Sequence, residues 1–103
     1  MKEMIYEYLK GQVGSDDQTL LDSLYEEYCS TIEAKVTDLK NAIEGNNFET
    51  LRQLAHALKG DSAIVGDEPL RAHALAFENG AKAADMAICK AELEQIIKLA
   101  PKP

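Results

Sequence analysis

The segment FETLRQLAHALKGDSAIVG, residues 48–66, contains the residue best suited to chemistry, His56. On a helical wheel with Leu51 at the origin and about 100° per residue, the apolar positions cluster within a sector of about 100°. That predicted core face contains Leu51, Leu54, Ala55, Leu58, Ser62 and Val65. His56 falls at about 140° on the same wheel, so its imidazole is predicted to face water. The same outer face carries Arg52, Lys59, Gly60 and Ala63.

Gly60 is the unusual residue of this helix, because glycine in a helix interior costs about 1 kcal/mol relative to alanine. Helical side chains lean towards the N-terminus, and a residue at i+4 partly covers the surface at i. Glycine four residues after His56 would therefore leave the imidazole uncovered. Lys59 could bring an ammonium group within reach of an anion on the ring. A helix kink or a close helix crossing is the alternative use of Gly60.

An uncovered imidazole suits a nucleophile that another macromolecule must approach. A neutral histidine nitrogen can take up a phosphoryl group as a covalent intermediate. The sequence has no phosphate-cradling glycine loop, no Mg²⁺-binding carboxylate cluster and no nucleotide-binding fingerprint. We therefore expect no cofactor in this chain, and expect a partner to supply the metal. The competing interpretation of His56 is an ordinary surface histidine.

The elements that must position this segment all have helical periodicity, and no segment alternates as a strand does. We predict a short helix over residues 2–10, ended by Gly11 and Gly14. A long second helix is predicted from a Ser15 cap to about residue 44, because Ser15 stands three residues before Gln18.

A third helix is predicted over about residues 48–65. A fourth is predicted to begin at about residues 67–69, and a fifth after a cap at Asp85. Short connections between long amphipathic helices make neighbours antiparallel. The expected fold is therefore all-α, an antiparallel up-down four-helix bundle with a short extra N-terminal helix. We expect it to form a single domain over residues 1–103.

Composition and charge disfavour several classes of function for this chain. The chain is 46% hydrophobic and 28% charged, with a formal net charge of -7. A negative surface disfavours binding to nucleic acid and to anionic membranes. The sequence has no apolar run of transmembrane length, and its start does not resemble a signal peptide. Cys29 and Cys89 lack metal-site spacing and are expected to be reduced core residues, which favours a cytoplasmic location.

The second histidine, His73, lies at the edge of an apolar stripe and has no lysine or glycine following at helical spacing. We interpret it as a boundary residue. Neither histidine has an acidic residue three positions before it, so the Glu-x-x-His pairs of di-iron bundles are absent. No metal site is expected.

The run AHALKG at residues 55–60, followed by Gly66 and Leu70, resembles the signature of histidine-containing phosphotransfer (HPt) domains. The layout of residues 20–99 is similar to that of the family, and the Phe-Glu pair at residues 77–78 resembles its apolar-Glu step. Two positions depart from the pattern. Asp61 stands where a small residue is usual, and Asp67 follows Gly66 where alanine is common.

The resemblance implies a four-helix phosphorelay module that is not itself an enzyme. It implies that His56 is phosphorylated, that Lys59 stabilises the phosphoryl group and that Gly60 is kept small for access. The partners would be response-regulator receiver domains, holding Mg²⁺ themselves, and a hybrid sensor histidine kinase. We expect a monomer that docks over a patch of six residues, Arg52, Gln53, His56, Lys59, Gly60 and Ala63.

Two alternatives remain open from the sequence. The chain could be a helical module that only sequesters a receiver domain, or the histidine-bearing portion of a larger hybrid or chemotaxis-type kinase. Asp61 lies about 140° from His56 on the wheel, so we expect it to affect partner choice rather than to repel the phosphoryl group.

Overall fold

The structure is a computed structural model that describes residues 2–103, and within those residues it is all-helical. The helices are α1 (Lys2–Val13), α2 (Gln18–Glu44), α3 (Phe48–Ile64), α4 (Glu68–Lys82) and α5 (Met86–Leu99). The predicted all-α class is confirmed. No helix in this described part of the chain has both the length and the apolar character needed to cross a membrane.

The four longer helices enclose the core. Contacts join α2 to α3, α3 to α4, α4 to α5 and α5 back to α2, while α1 packs against α2. The apolar stripe of α4, at whose edge His73 lies, is buried and consists of Leu70, Ala74, Phe77 and Ala81. The predicted core face of α3 is also inside, with Leu51, Ala55, Leu58 and Ser62 at 0% exposure and Leu54 partly buried. These two faces pack together and set how α3 presents its outer surface.

The beginning of α2 differs from the prediction. Its N-cap is Asp17, whose carboxylate accepts a hydrogen bond from the Leu20 N–H at 3.2 Å. Ser15, the predicted cap, instead accepts a hydrogen bond from the Asp17 N–H through its hydroxyl. Aspartate is as good an N-cap as serine, and its charge also suits the positive end of the helix.

The end of α1 also differs, because Gly11 lies inside the helix. Gly14, in the left-handed conformation at φ 65°, ends it by donating its N–H to the Lys10 carbonyl. An exposed glycine costs a helix only about 1 kcal/mol, so Gly11 alone does not stop it. Leu9 is buried just before these residues and anchors that last turn on the bundle.

The short helix α1 also touches the connection between α3 and α4. Ile5 and Leu9 are buried, while Met4 and Tyr8 stay 39% exposed. The Tyr8 ring lies against Gly66, which has φ 70° in the turn before α4. This contact braces the turn that fixes α4 relative to α3.

Candidate functional site

His56 lies in the middle of α3, and its side chain is 66% exposed. The ring is not free, however, because its Nδ1 is 2.9 Å from Oε2 of Glu78 on α4. An ionised carboxylate only accepts hydrogen bonds, so a neutral His56 ring in this contact carries its proton on Nδ1. Nε2 is then the unprotonated nitrogen, and no hydrogen bond from residues 2–103 reaches it.

Glu78 is the buried centre of the site, with only 2% of its surface exposed. Its Oε1 accepts a hydrogen bond from Lys59 Nζ at 2.8 Å, and Lys82 Nζ lies 4.0 Å from its Oε2. The bond from Lys59 lowers the pKa of Glu78, with a further lowering from His56, although burial acts in the opposite direction. The carboxylate is therefore ionised at neutral pH and is held by a cation and a ring N–H.

Local sequence explains how these three side chains meet. His56 and Lys59 are three residues apart, so they project from one side of α3. Glu78 comes four residues after buried Ala74 and three before buried Ala81, which turns it towards the helix packed beside α4. The site therefore depends on the register of α4 against α3.

The surface around the ring is open. A Cβ added at Gly60 would meet no atom within 4 Å among residues 2–103, so no described helix crosses closely there. A shallow depression of about 380 Å³ extends from the ring along the packed pair α3 and α4. Its lining consists of His56, Lys59, Gly60, Ala63, Arg71 and Leu75.

Four residues of the predicted docking patch line this depression, namely His56, Lys59, Gly60 and Ala63. Arg52 and Gln53 do not line the depression, and both donate to Glu49 one turn earlier on α3. The ammonium group of Lys59 contacts Oε1 of Glu78, and its predicted role towards a phosphoryl group stays a prediction. The buried carboxylate attracts the ammonium group more strongly than solvent does, because the charge of Glu78 needs a partner inside the protein.

Comparison with known families places most of the chain in one family. The family model of the Hpt domain matches residues 23–100. The chain belongs to the Hpt domain family. Hpt domains are phosphocarrier modules that carry out histidine phosphotransfer in phosphorelays and interact with response-regulator receiver domains. Neither a curated protein nor a solved structure matches the chain.

Three residues of this Hpt domain site were not assigned a role from the sequence. Glu78 was noted only as part of a Phe-Glu pair, although an acidic residue between buried Ala74 and Ala81 was a signal that it has a buried partner. Arg71 and Leu75 carry no such signal. Their place in the depression follows from the packing of α4 on α3, which the sequence pattern does not specify.

The two departures from the family pattern have structural partners. Asp61 accepts a hydrogen bond from Lys35 of α2 at 3.1 Å, so it faces α2. Asp67 is buried and caps α4 by accepting from the Leu70 N–H, while the Tyr28 hydroxyl donates to its other oxygen at 2.7 Å. Asp67 is thus part of the turn that positions α4.

The remaining titratable residues singled out by the sequence lie elsewhere. His73 is 36% exposed and its Nδ1 is 2.6 Å from Glu92 Oε2 on α5, which confirms a boundary position. Cys29 and Cys89 are buried free thiols, and burial raises the pKa of both. They pack as small apolar residues.

Proposed function

We propose that this Hpt domain is a phosphocarrier of a multistep two-component relay, and that His56 accepts the phosphoryl group. The supporting observation is the geometry of the ring, 66% exposed and bound through Nδ1 to buried Glu78. This arrangement leaves Nε2 as an accessible nucleophile with its lone pair available.

The proposed step is in-line attack of Nε2 on the phosphorus of a receiver's aspartyl phosphate. The N–P bond forms, the P–O bond to the aspartate breaks, and the aspartate leaves as a carboxylate with the electron pair. The product ring is positively charged and keeps its Nδ1 proton, which the Glu78 carboxylate stabilises. No proton is transferred, and the step is reversible because the aspartyl phosphate and the phosphorylated ring are both reactive phosphoryl carriers.

Lys59 and Gly60 have separate roles in this proposal. An ammonium group has three N–H donors, so Lys59 can keep its bond to Glu78 and still direct a donor towards a phosphoryl group on Nε2. Gly60 keeps the surface low where the receiver approaches. Ala63, Arg52 and Gln53 stay predicted partner contacts.

The partners in this proposal are one receiver domain that donates the phosphoryl group and another that accepts it. A hybrid sensor histidine kinase would supply the first receiver, and Mg²⁺ would be held by the receivers. We also propose a monomeric carrier in the cytoplasm, for which sedimentation and cell fractionation are the tests.

We further propose that the four longer helices form an antiparallel up-down bundle. Contacts across the helix pairs support this arrangement. His56 of α3 contacts Glu78 of α4 across the turn at residues 65–67. Lys35 of α2 contacts Asp61 of α3 across the turn that joins those two helices. Such pairs lie at similar distances from the turn that joins their helices, as antiparallel neighbours require.

The decisive experiment compares the two histidines of the chain. Receiver domains are phosphorylated with acetyl phosphate and Mg²⁺, then mixed with the wild type, His56→Gln or His73→Gln. We expect acid-labile phosphate on the wild type and on His73→Gln, and none on His56→Gln. Circular dichroism establishes that each variant is folded.

Phosphate uptake by folded His56→Gln would contradict the proposal. Receiver binding without phosphate uptake by the wild type would favour the sequestering alternative. Either result separates the carrier function from a structural role for the histidine.

A further inference from the structure

We infer that part of the receiver-docking surface lies on α4, where Arg71 and Leu75 contact the partner. This inference deepens the proposed function and depends on it. The sequence placed the whole docking patch on α3, with Arg52 and Gln53 at one end. The structure supports a patch displaced towards the other end of α3 and across to α4.

The first argument is the position of the depression beside the nucleophile. A standard protein interface covers about 800 Å² on each partner, which corresponds to a disc with a radius of about 16 Å. Ala63 is seven residues from His56, or about 10 Å along the helix. Arg71 lines the same depression as these two residues, so it lies within the area that a receiver reaching Nε2 of His56 would cover. Arg52, four residues before His56, lies within that area too, so the two arginines are separated by their own contacts.

The second argument compares the only two arginines of the chain, Arg52 and Arg71. Each pairs with a glutamate three residues earlier, and their side chains are 35% and 34% exposed. Arg52 is held twice by Glu49, through Nε at 3.2 Å and Nη2 at 2.6 Å. Arg71 donates only its Nε to Glu68, so both of its terminal nitrogens remain available to a partner within the described structure.

The third argument is charge and polarity. The occupant carries an aspartyl phosphate, and Lys59 and Arg71 are cations lining the depression of a chain with a net charge of -7. Leu75, 36% exposed, lies four residues after Arg71 and three before Glu78 on the same side of α4. The surface therefore matches a receiver face with an anionic centre, an apolar neighbour and an acidic residue opposite Arg71.

The experiment measures kcat and KM for phosphoryl transfer from a receiver that has been phosphorylated with acetyl phosphate and Mg²⁺. The variants are Arg71→Glu, Arg71→Gln, Arg52→Glu and Leu75→Ala. Lys90→Glu on α5 is the matched charge reversal, since Lys90 is exposed and α5 does not pack on α3. Phosphoramidate, a small donor that needs no docking, labels the same variants in parallel. Circular dichroism checks that each variant is folded.

We expect Arg71→Glu to raise KM about tenfold at low salt, with kcat unchanged, and the effect to shrink at about 0.5 M salt. Arg71→Gln should give a smaller rise, and Leu75→Ala a rise that does not depend on salt. Arg52→Glu should raise KM less than Arg71→Glu. Arg71→Glu should slow labelling by phosphoramidate much less than it slows transfer from a receiver, because this small anion needs no docking.

Equal KM values for the wild type, Arg71→Glu and Leu75→Ala would overturn the inference, as would a larger effect of Arg52→Glu. In both cases the wild type still accepts phosphate, so the carrier function stands. If the wild type accepts phosphate from no receiver, the proposed function fails and the docking surface fails with it.

Discussion

Replacing Glu78 by glutamine should harm phosphoryl uptake more than replacing it by alanine. Glutamine offers one acceptor oxygen and one donor NH₂ group in nearly the same shape as glutamate. Lys59 Nζ, 2.8 Å from Oε1 of Glu78, only donates, so the amide oxygen should turn towards it. The NH₂ group then faces Nδ1 of His56, which must accept a hydrogen bond. The ring proton moves to Nε2 and blocks the nucleophile.

The size of this effect follows from one hydrogen bond. A neutral bond contributes about 0.5–1.5 kcal/mol, so the amide should shift the ring towards the unreactive tautomer by roughly two- to tenfold. Glu78→Ala removes the same negative charge but leaves both tautomers accessible. The lost stabilisation of the phosphorylated ring is common to both variants, so the ratio between Glu78→Gln and Glu78→Ala reports tautomer control together with the position of Lys59.

The assay is the rate at which phosphoramidate labels His56 in the wild type and in both Glu78 variants. We expect the order wild type, then Glu78→Ala, then Glu78→Gln, with the last two differing by about two- to tenfold. Nitrogen-15 NMR of the neutral ring should find the proton on Nδ1 in the wild type and on Nε2 in Glu78→Gln. Labelling of Glu78→Gln as fast as that of Glu78→Ala would refute this account of tautomer control.

Four other predictions concern stability and access. Glu78 has a pKa below its ordinary 4.5, so its ionised form stabilises the fold fully above pH 4.5, and this contribution is lost as the pH falls through the lowered pKa. Acid titration of Glu78→Gln should therefore show a weaker loss of stability below pH 4.5 than the wild type shows. Gly60→Ala should raise the free energy of unfolding in urea by about 0.5–1 kcal/mol, while Gly60→Gln should slow transfer from a receiver. Asp67→Ala should lower the free energy of unfolding by about 2–4 kcal/mol, because α4 loses its cap and the buried Tyr28 hydroxyl loses its partner. Adding Tyr28→Phe to this variant should recover part of the lost stability. Gly66→Ala should lower the thermal midpoint, because φ is 70° and a Cβ there would overlap a tyrosine ring.

The exposure of His56 could be predicted from the sequence because it is a local property of one helix. The wheel places it away from Leu51 and Leu58 whatever α3 packs against, and the structure agrees, with both leucines at 0% exposure. The exposure of Gly60 could be predicted for the same reason. Helix ends were less predictable, since Ser15 and Asp17 are both good caps and only the packing decides between them.

The partner of His56 could not be predicted because it is a tertiary property. Which residue of α4 meets the ring depends on the turn at residues 65–67, on its left-handed Gly66 and on the buried Asp67 cap. A shift of one residue in α4 would rotate Glu78 by about 100° and remove its contact with Nδ1. The histidine is therefore visible in the sequence, whereas the atom that controls its proton is visible only in the packed structure.

Stability alone does not explain why a carboxylate occupies this position. Burying Glu78 to 2% exposure carries a desolvation cost that its bonds to Lys59 and His56 only offset. An apolar residue of similar volume would fill the space between α3 and α4 without that cost, and Lys59 could then extend into solvent. An apolar residue cannot accept a hydrogen bond from Nδ1, and it cannot balance the charge that the proposed phosphorylation would put on the ring. The position of Glu78 is thus better explained by the proposed chemistry of Nε2 than by the stability of the bundle.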